Sequence, residues 1–353
     1  MNRSAYRIID ANFNRAREAI RVIEDYCRFA LNCEPLTGRA KQLRHQLCAA
    51  IKMLDANQLI INRDTLGDVG VGKTADEQLT RSCVEDCFTA ACKRLTEALR
   101  TLAETAQILN PQTAKTLENL RYTAYTLEKD IVAFSRPCEK FKNVRLYVIV
   151  STNLPAEVIS LTHKCIAGGA DCIQLRTKGL ADDALFSLAV EFVRICDSAG
   201  IISIINDRVD IAVAAGATGV HLGLNDLPIE QARKLLLTPL IIGKTTHSPD
   251  QLRTACRQLP AYVSLGPVFP TPTKQDIEIA GLNYVEDGLQ ILAGTGIGHV
   301  AIGGITPDII EQVLKTGAQA VAVCSVVAKA ADPAAVCTLL KKKITASSNK
   351  TSA

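Results

Sequence analysis

RLYVIVS at positions 145–151 opens the part of the chain from which the architecture can be inferred. Seven more apolar runs follow, with room for a helix between them: DCIQLR (171–176), IISIIN (201–206), TGVHLG (218–223), LIIGK (240–244), YVSLGPV (262–268), HVAIGG (299–304) and AVAVCS (320–325). Continuous Val and Ile runs are typical of parallel strands buried on both faces. Eight such strands alternating with helices predict an α/β fold, a compact (β/α)8 TIM barrel. A doubly wound sheet, the alternative, commonly has fewer strands and one glycine-rich first turn.

Polar residues gather where these predicted strands end. They are Gln174, Arg176 and Lys178 after the second strand, Asn206 and Asp207 after the third, Asn225 and Asp226 after the fourth, Lys244, Thr245 and Thr246 after the fifth, Thr271, Thr273 and Lys274 in the loop after the sixth, Gly303 and Gly304 after the seventh, and Cys324 and Ser325 after the eighth. The carboxyl ends of all TIM-barrel strands meet at one mouth, where the active sites of such barrels lie. We therefore expect these side chains to surround one site.

Asp207 and Asp226 follow neighbouring strands, so their carboxylates are expected to meet. Two carboxylates with room for water and phosphate oxygens suit Mg2+. A salt-bridged pair and a general acid–base pair are the alternatives. Arg176, Lys178 and Lys274 would surround the carboxylates with positive charge, and cations together with a metal suit a diphosphate better than a monophosphate. A solvated rim of exposed lysines is the alternative for these cations.

A second anion site is expected after the last two strands. Gly303 and Gly304 let backbone N–H groups approach a phosphate, and Cys324 and Ser325 precede a helix, an arrangement that recurs in phosphate-binding barrels. Close packing at a strand end is the alternative explanation for the two glycines. The proline-rich loop at 266–274 is expected to be stiff and to lie between the two sites.

The residues before the barrel have a helical pattern. Residues 9–135 contain few strand signals, and their apolar side chains recur every three or four positions. ANFNRAREAIR (11–21) is similar to AACKRLTEALR (90–100), and KQLRH (41–45) is similar to ENLRY (118–122). These similarities predict a helical bundle with an internal duplication.

The domain boundaries follow from this change of pattern. We predict an all-α helical-bundle domain over residues 1–141, the TIM barrel over residues 142–340, and a solvated, disordered tail over residues 341–353.

A glycine-rich loop separates the two halves of the helical region. INRDTLGDVGVGKTADE (61–77) meets the formal pattern GxxxxGK[ST] through Gly67, Gly72, Lys73 and Thr74. A P-loop fold requires an apolar strand that leads into the loop, and no such strand precedes this one. The sequence therefore favours a different kind of phosphate-binding loop over a true P-loop.

The amino-acid composition excludes several classes of protein function. Of 353 residues, 48% are hydrophobic and 22% charged, which excludes a disordered chain, and the net charge of +4 gives no basic stripe for nucleic acid. No apolar run is long enough to span a membrane. The thirteen cysteines form no CxxC pair, which is typical of reduced thiols in a cytoplasm. We expect a cytoplasmic enzyme with small-molecule substrates and no nucleic-acid or membrane partner, and the sequence is compatible with a homo-oligomer.

Seven motifs stand in the order and spacing of thiamine phosphate synthases: QLRTK, IND, GVHLGLNDLP, IGKTTHS, GPVFPTPTK, AIGGI and AVCSVV. The chain from Val144 to Leu340 resembles this family, whose members join a hydroxymethylpyrimidine diphosphate to a thiazole phosphate and release diphosphate. The resemblance implies that the diphosphate leaves first and that the thiazole nitrogen captures the resulting pyrimidine-methyl cation.

The resemblance also implies a role for each matching residue. The pyrimidine diphosphate would contact Gln174, Leu175, Arg176, Thr177, Lys178, Asn206, Thr245 and Lys274, of which Arg176, Lys178 and Lys274 would be catalytic. The thiazole phosphate would contact Thr271, Pro272, Thr273, Gly304, Cys324 and Ser325. Asp207 and Asp226 would hold Mg2+. Leu224 and Asn225 depart from the family pattern, whereas Asp226 is retained and Thr245 keeps the hydroxyl of the usual Ser.

The helical region resembles a domain fused ahead of some thiamine phosphate synthases, for which a hydroxymethylpyrimidine phosphate kinase role is proposed. Arg63, Asp64, Asp68 and Lys73 are candidate nucleotide contacts there. The main alternative for the chain is a thiazole tautomerase-like barrel with an N-terminal oligomerisation module. A different barrel phosphate isomerase is a further alternative.

Overall fold

The chain divides into two compact units, Met1–Val132 and Ala133–Ala353. The computed structural model describes residues 2–70, 73, 80–271 and 278–351, without the side chains of residues 348–351. No helix among these residues combines the length and apolar character that crossing a membrane requires. All thirteen cysteines lie in the described ranges, and none is in a disulfide.

Unit 1 is helical, as predicted. Its elements are α1 (Arg3–Asp25), a π-helical segment (Tyr26–Ala30), α2 (Glu34–Ile51), α3 (Ala56–Ile61), α4 (Val84–Ala106) and the first part of α5 (Pro111–Phe141). The two similar segments 11–21 and 90–100 lie in the 23-residue helices α1 and α4, which pack against each other, and segments 41–45 and 118–122 lie in α2 and α5. This placement is compatible with the duplication, which stays a prediction.

Unit 2 is the TIM barrel that the sequence predicts. Its strands are β1 (Leu146–Val150), β2 (Cys172–Leu175), β3 (Ile202–Asn206), β4 (Gly219–Leu222), β5 (Ile241–Thr246), β6 (Tyr262–Leu265), β7 (Gly298–Ile302) and β8 (Val321–Val323). They pair in parallel, in chain order, and β8 closes onto β1. The helices are α6 (Pro155–Ala167), α7 (Asp182–Ser198), α8 (Val209–Ala214), α9 (Ile229–Leu235), α10 (Pro249–Arg257), α11 (Gly281–Leu292), α12 (Ile310–Lys315), α13 (Ser325–Ala328) and α14 (Pro333–Thr351).

Two large aromatic side chains lie in the interior of the barrel, among smaller apolar residues of the strands. Tyr147 of β1 and Tyr262 of β6 are both buried, and their hydroxyl oxygens lie 2.9 Å apart. The ring of Phe141, at the end of α5, stacks on Tyr262 with 4.1 Å between ring centroids. A Cβ at Gly243 would lie 2.2 Å from Cζ of Tyr262, so only glycine leaves room for that ring.

The structure corrects two boundaries. Residues 341–351 continue helix α14 and do not form a disordered tail, because Leu340 and Ile344 are buried and Lys341 pairs with Asp171. The first boundary differs from the predicted one as well, since the chain divides after Val132, inside the unbroken helix α5.

Candidate active site

A cavity of about 690 Å³ opens at the carboxyl ends of the strands, inside unit 2. Each of the eight strands contributes to its lining, with Tyr147, Gln174, Asn206, His221, Thr245, Ser264, Ile302 and Val323 as one example per strand. This is the end of a TIM barrel at which substrates bind.

Asp207 and Asp226 stand together at one side of the cavity. The pKa of Asp207 is raised to about 6, first because the carboxyl is partly buried and second because it contacts the carboxyl of Asp226. Oδ2 of Asp226 accepts a hydrogen bond of 2.6 Å from the backbone N–H of Gly223. Asp207 has a left-handed backbone with φ of 62°, and its N–H donates to the carbonyl of His221 over 2.8 Å. The two carboxylates therefore form a concentrated negative site.

Arg176 and Lys178 line the same cavity. Nη1 of Arg176 donates to Oγ of Ser151 over 3.1 Å, and the backbone N–H of Lys178 donates to Oδ1 of Asn153 over the same distance. The positive charge of Arg176 lowers the pKa of Asp207 and so opposes the effect of burial. The loop after β1, which carries Ser151 and Asn153, therefore orients the cationic residues after β2.

A hydrogen-bonded chain of side chains forms the floor of the cavity on the side of β1 to β3. Nε2 of Gln174 donates to Oδ1 of Asn206 over 2.6 Å, and Oε1 of Gln174 accepts from the hydroxyl of Tyr147 over 2.7 Å. Gln174 is buried, so its amide is held in one orientation by these two partners.

The chain of hydrogen bonds continues on the opposite side of the floor. The hydroxyl of Tyr262 lies 3.0 Å from Nδ1 of His221, and Nε2 of His221 lies 2.9 Å from Oγ1 of Thr245. Burial raises the pKa of Tyr147 and Tyr262 well above the usual range, so both phenols stay protonated at neutral pH. The floor is therefore polar, neutral at the tyrosines and fixed in geometry.

The glycine pair after β7 leaves space at the other side of the cavity. Gly303 and Gly304 line it with φ values of 110° and 64°, which side chains rarely adopt. A Cβ at Gly304 would lie 2.4 Å from the carbonyl oxygen of Pro270. Cys324 and Ser325 line the same part of the cavity. This region has the exposed backbone and small side chains that a phosphate group requires.

Several residues expected at the site are elsewhere. Leu175 is buried and does not line the cavity, and Thr177 does not line it either. Lys244 and Thr246 belong to β5 rather than to a following loop. Nζ of Lys244 donates to the carbonyl of Gly223 over 2.5 Å, and Thr246 hydrogen-bonds the carbonyl of Ser264.

The remaining expected residues either line the cavity or lie outside the residues that the structure describes. Gln174, Asn206, Thr245 and Thr271 all line the cavity. Pro272, Thr273 and Lys274 lie outside the described residues, as do Gly72 and Thr74 of the glycine-rich loop in unit 1.

Sequence reasoning missed several lining residues. Tyr147, His221, Tyr262 and Lys329 line the cavity and are not among the residues that the sequence predicts there. The missed signal is strand parity, because Tyr147, His221 and Tyr262 occupy inward-facing positions of their strands, as the predicted residue Gln174 does. A polar or aromatic residue at such a position in an otherwise apolar strand points into the barrel.

A TIM barrel with paired carboxylates, nearby cations and a glycine cradle at one mouth defines a class of barrel enzymes that act on phosphorylated substrates. Residues 146–327 match the family model described as thiamine monophosphate synthase, and residues 7–130 match the ThiD2 family. The chain belongs to the thiamine monophosphate synthase family, whose members are transferases.

Individual relatives agree with this assignment. The chain is 36% identical over 332 residues to the thiamine-phosphate synthase of Nostoc sp., covering 94% of this chain and 92% of that protein. It is 36% identical to the thiamine-phosphate synthase of Rhodopirellula baltica, covering 93% and 89%. Among solved structures, the thiamine phosphate pyrophosphorylase of Pyrococcus furiosus has 31% identity and a TM-score of 0.53, covering 58% of this chain and 96% of that one.

Proposed function

We propose that unit 2 condenses 4-amino-2-methyl-5-hydroxymethylpyrimidine diphosphate with a thiazole phosphate to give thiamine phosphate and diphosphate. The proposal rests on one observation, that a single cavity has two chemically different ends. One end combines Asp207 and Asp226 with the cations Arg176 and Lys178, and the other end is the glycine cradle that begins at Gly303. A donor that loses a diphosphate and an acceptor that carries a monophosphate need two such ends.

The carboxylate pair fits Mg2+. Asp207 and Asp226 offer hard oxygen atoms side by side, and burial together with the neighbouring carboxyl of Asp226 raises the pKa of Asp207. Among the described residues, no group of three or more His, Cys, Asp or Glu side chains converges on a metal position. Mg2+ commonly uses one or two carboxylates and completes its shell with water and substrate phosphate oxygens, so two ligands suffice. When bound, the metal would neutralise charge on the diphosphate oxygens.

Each group of side chains in the cavity would have a separate role in the reaction. Arg176 and Lys178 would hold the diphosphate and neutralise the charge that develops as the bond between the pyrimidine methylene carbon and the diphosphate oxygen breaks. Gln174 and Asn206, fixed by hydrogen bonds, would orient the pyrimidine ring. The diphosphate leaves with the bonding electrons, and the lone pair of the thiazole nitrogen then forms the new bond to the cationic methylene carbon. No proton must be removed in this step, so positioning is the main contribution.

The acceptor phosphate would lie in the cradle. Gly303 and Gly304 expose backbone at the edge of the cavity, and Cys324 and Ser325 add small polar side chains beside them. We keep Pro272, Thr273 and Lys274, outside the described residues, as proposed contacts on the basis of the family resemblance.

The test is product formation from the two purified substrates. We expect thiamine phosphate and diphosphate in equal amounts, and only when both substrates are present. A thiazole tautomerase-like barrel would instead convert the thiazole phosphate alone and release no diphosphate. Consumption of the thiazole phosphate without diphosphate release would therefore overturn the proposal in favour of that alternative.

We further propose that unit 1 is a hydroxymethylpyrimidine phosphate kinase, supported by the match of residues 7–130 to the ThiD2 family. Arg63 is a candidate phosphate contact. The buried carboxylate of Asp10 accepts hydrogen bonds of 2.7 and 2.6 Å from Nε and Nη2 of Arg63, and the side chain of Arg63 stays half exposed. A guanidinium held in this way is oriented before a ligand arrives.

The kinase proposal is tested by ADP formation from ATP and hydroxymethylpyrimidine phosphate. We expect the full chain to form ADP and R63A to lose most of this activity. R39A is the matched control, because Arg39 is paired with Asp130 over 2.6 Å and is exposed to a similar extent. No ADP from the unaltered chain would favour an oligomerisation or docking module, and equal loss in both variants would remove the role of Arg63.

A further inference from the structure

Arg208 directly follows Asp207 in the chain, yet it does not line the cavity. Its guanidinium is bound by two carboxylates. Nε and Nη2 donate to the two oxygens of Asp210 over 2.9 and 2.6 Å, and Nη1 donates to Oδ1 of Asp182 over 2.6 Å. We name Arg208, Asp182 and Asp210 the Arg208 clasp. It uses the planar fork of arginine on one carboxylate and a third N–H on another, which a lysine does not reproduce.

The clasp joins two turns of the site. Asp182 is the first residue of α7 and ends the loop that carries Arg176 and Lys178. The start of that loop is fixed by Asn153, whose side chain accepts from the backbone N–H of Lys178. Arg208 belongs to the turn after β3 and is covalently next to Asp207. The clasp therefore links the cationic loop after β2 to the turn that carries Asp207.

The backbone of Asp207 has an unfavourable conformation that depends on the contacts around it. Its φ of 62° lies in the left-handed region, which is unfavourable for a residue with a side chain and persists where neighbouring contacts hold it. The N–H of Asp207 donates to the carbonyl of His221, and the N–H of Arg208 donates to the carbonyl of Asn206 over 2.7 Å. The clasp anchors the side chain of the next residue, so it restrains the turn from the outside.

We propose that Arg208 is a positioning residue that, through Asp182, holds the carboxylate of Asp207 in register with the cationic loop for the diphosphate. The inference rests on the proposed synthase function. The clasp is exposed, with side-chain exposures of 36% for Arg208, 75% for Asp182 and 60% for Asp210, and exposed ion pairs contribute little to the free energy of unfolding. Its effect is therefore on the geometry of the site and not on overall stability.

The experiment compares R208Q and D182N with the unaltered full chain in the synthase reaction. We expect R208Q to raise both the KM for the pyrimidine diphosphate and the Mg2+ concentration at half-maximal rate by about tenfold, and D182N by about threefold. The KM for the thiazole phosphate should change by less than about twofold in both variants, because the cradle lies at the other end of the cavity. The double variant should be no worse than R208Q alone, since both changes break one connection.

E311Q is the matched control. Glu311 of α12 pairs with Lys343 over 2.8 Å, is 64% exposed like the clasp residues, and does not line the cavity. We expect it to leave both KM values and the Mg2+ requirement unchanged. D182N keeps the test decisive even if R208Q folds poorly, because Asp182 is the most exposed member of the clasp and its loss does not threaten the core.

Two outcomes would overturn the inference. One is an unaltered KM for the pyrimidine diphosphate and an unaltered Mg2+ requirement in both variants. The other is an equal rise in the KM of both substrates together with a lower melting temperature, which indicates a merely structural role. If the unaltered chain itself releases no diphosphate in the presence of Mg2+, the proposed function fails. That result can be told apart from the two outcomes above, because it concerns the unaltered chain and not the variants.

Discussion

The paired carboxylates predict a trade-off between the stability of the metal-free protein and its affinity for Mg2+. Replacing Asp207 by Asn removes one of two adjacent negative charges, keeps the size of the side chain and keeps one acceptor oxygen. In the metal-free protein the ionised Asp207 is partly buried beside Asp226, and both effects raise its pKa from 3.8 to about 6. D207N should therefore stabilise the metal-free protein while it weakens the binding of Mg2+.

The magnitude follows from the pKa. In a fully desolvated site, a carboxyl whose pKa rises this far costs the folded state about 3 kcal/mol once it is ionised. Asp207 is only half-buried, so screening by water reduces the expected gain in D207N to about 1–2 kcal/mol at pH 8. The folded-state pKa lies above the unfolded value, so protonation stabilises the fold. The cost is complete above pH 6, shrinks as the pH falls through about 6, and vanishes below 3.8.

The assay is chemical unfolding of both proteins in chelator at pH 8 and pH 5, repeated at pH 8 with millimolar Mg2+. We expect D207N to be the more stable protein at pH 8 without metal, and the difference to shrink at pH 5. Mg2+ should stabilise the unaltered protein, because the proposed site exists only in the folded state, and should stabilise D207N much less. A D207N that is less stable than the unaltered protein at pH 8 in chelator would refute the reasoning, as would a difference that does not depend on pH.

Three further substitutions have definite expected outcomes. D226A should lower the rate of diphosphate release by about 100-fold with little change in circular dichroism, because one of the two proposed metal ligands is lost, and full activity would remove the metal role. G304A should raise the KM for the thiazole phosphate by about tenfold or more, since its Cβ would lie 2.4 Å from a backbone oxygen. G200A is its control, because Gly200 also has a positive φ, of 69°, with nothing within 4 Å of the added Cβ, and KM should then stay unchanged. G243A should lower the free energy of unfolding by about 2 kcal/mol or more, measured by urea titration, since the new Cβ would meet the buried ring of Tyr262, and an unchanged stability would contradict this packing.

Much of the barrel and part of the site can be predicted from sequence because one physical rule serves both. Strands buried on both faces are continuous apolar runs, and parallel strands in a closed barrel bring their carboxyl ends to one mouth. Asp207 and Asp226 are far apart in sequence, yet this rule predicts their contact without any knowledge of side-chain geometry.

Other features depend on contacts that no local pattern reveals. Strand parity places Tyr147 and Tyr262 inside the barrel, but it does not predict the hydrogen bond that joins their hydroxyls in the floor of the cavity. The bond between Arg208 and Asp182 joins charged surface residues from two separate loops.

The helix at the C-terminus was predictable in principle. Cys337, Leu340 and Ile344 are fully buried at a spacing of three and four residues, but the lysines between them give the segment a solvated appearance.

The central claim is that the barrel mouth releases diphosphate from a pyrimidine substrate with the help of a metal held by Asp207 and Asp226. The most direct measurement is diphosphate release by the full chain with both substrates, in excess Mg2+ and again in excess chelator. We predict release that requires both substrates and stops in chelator, and that returns when Mg2+ is restored. Release at an undiminished rate in chelator would contradict the account.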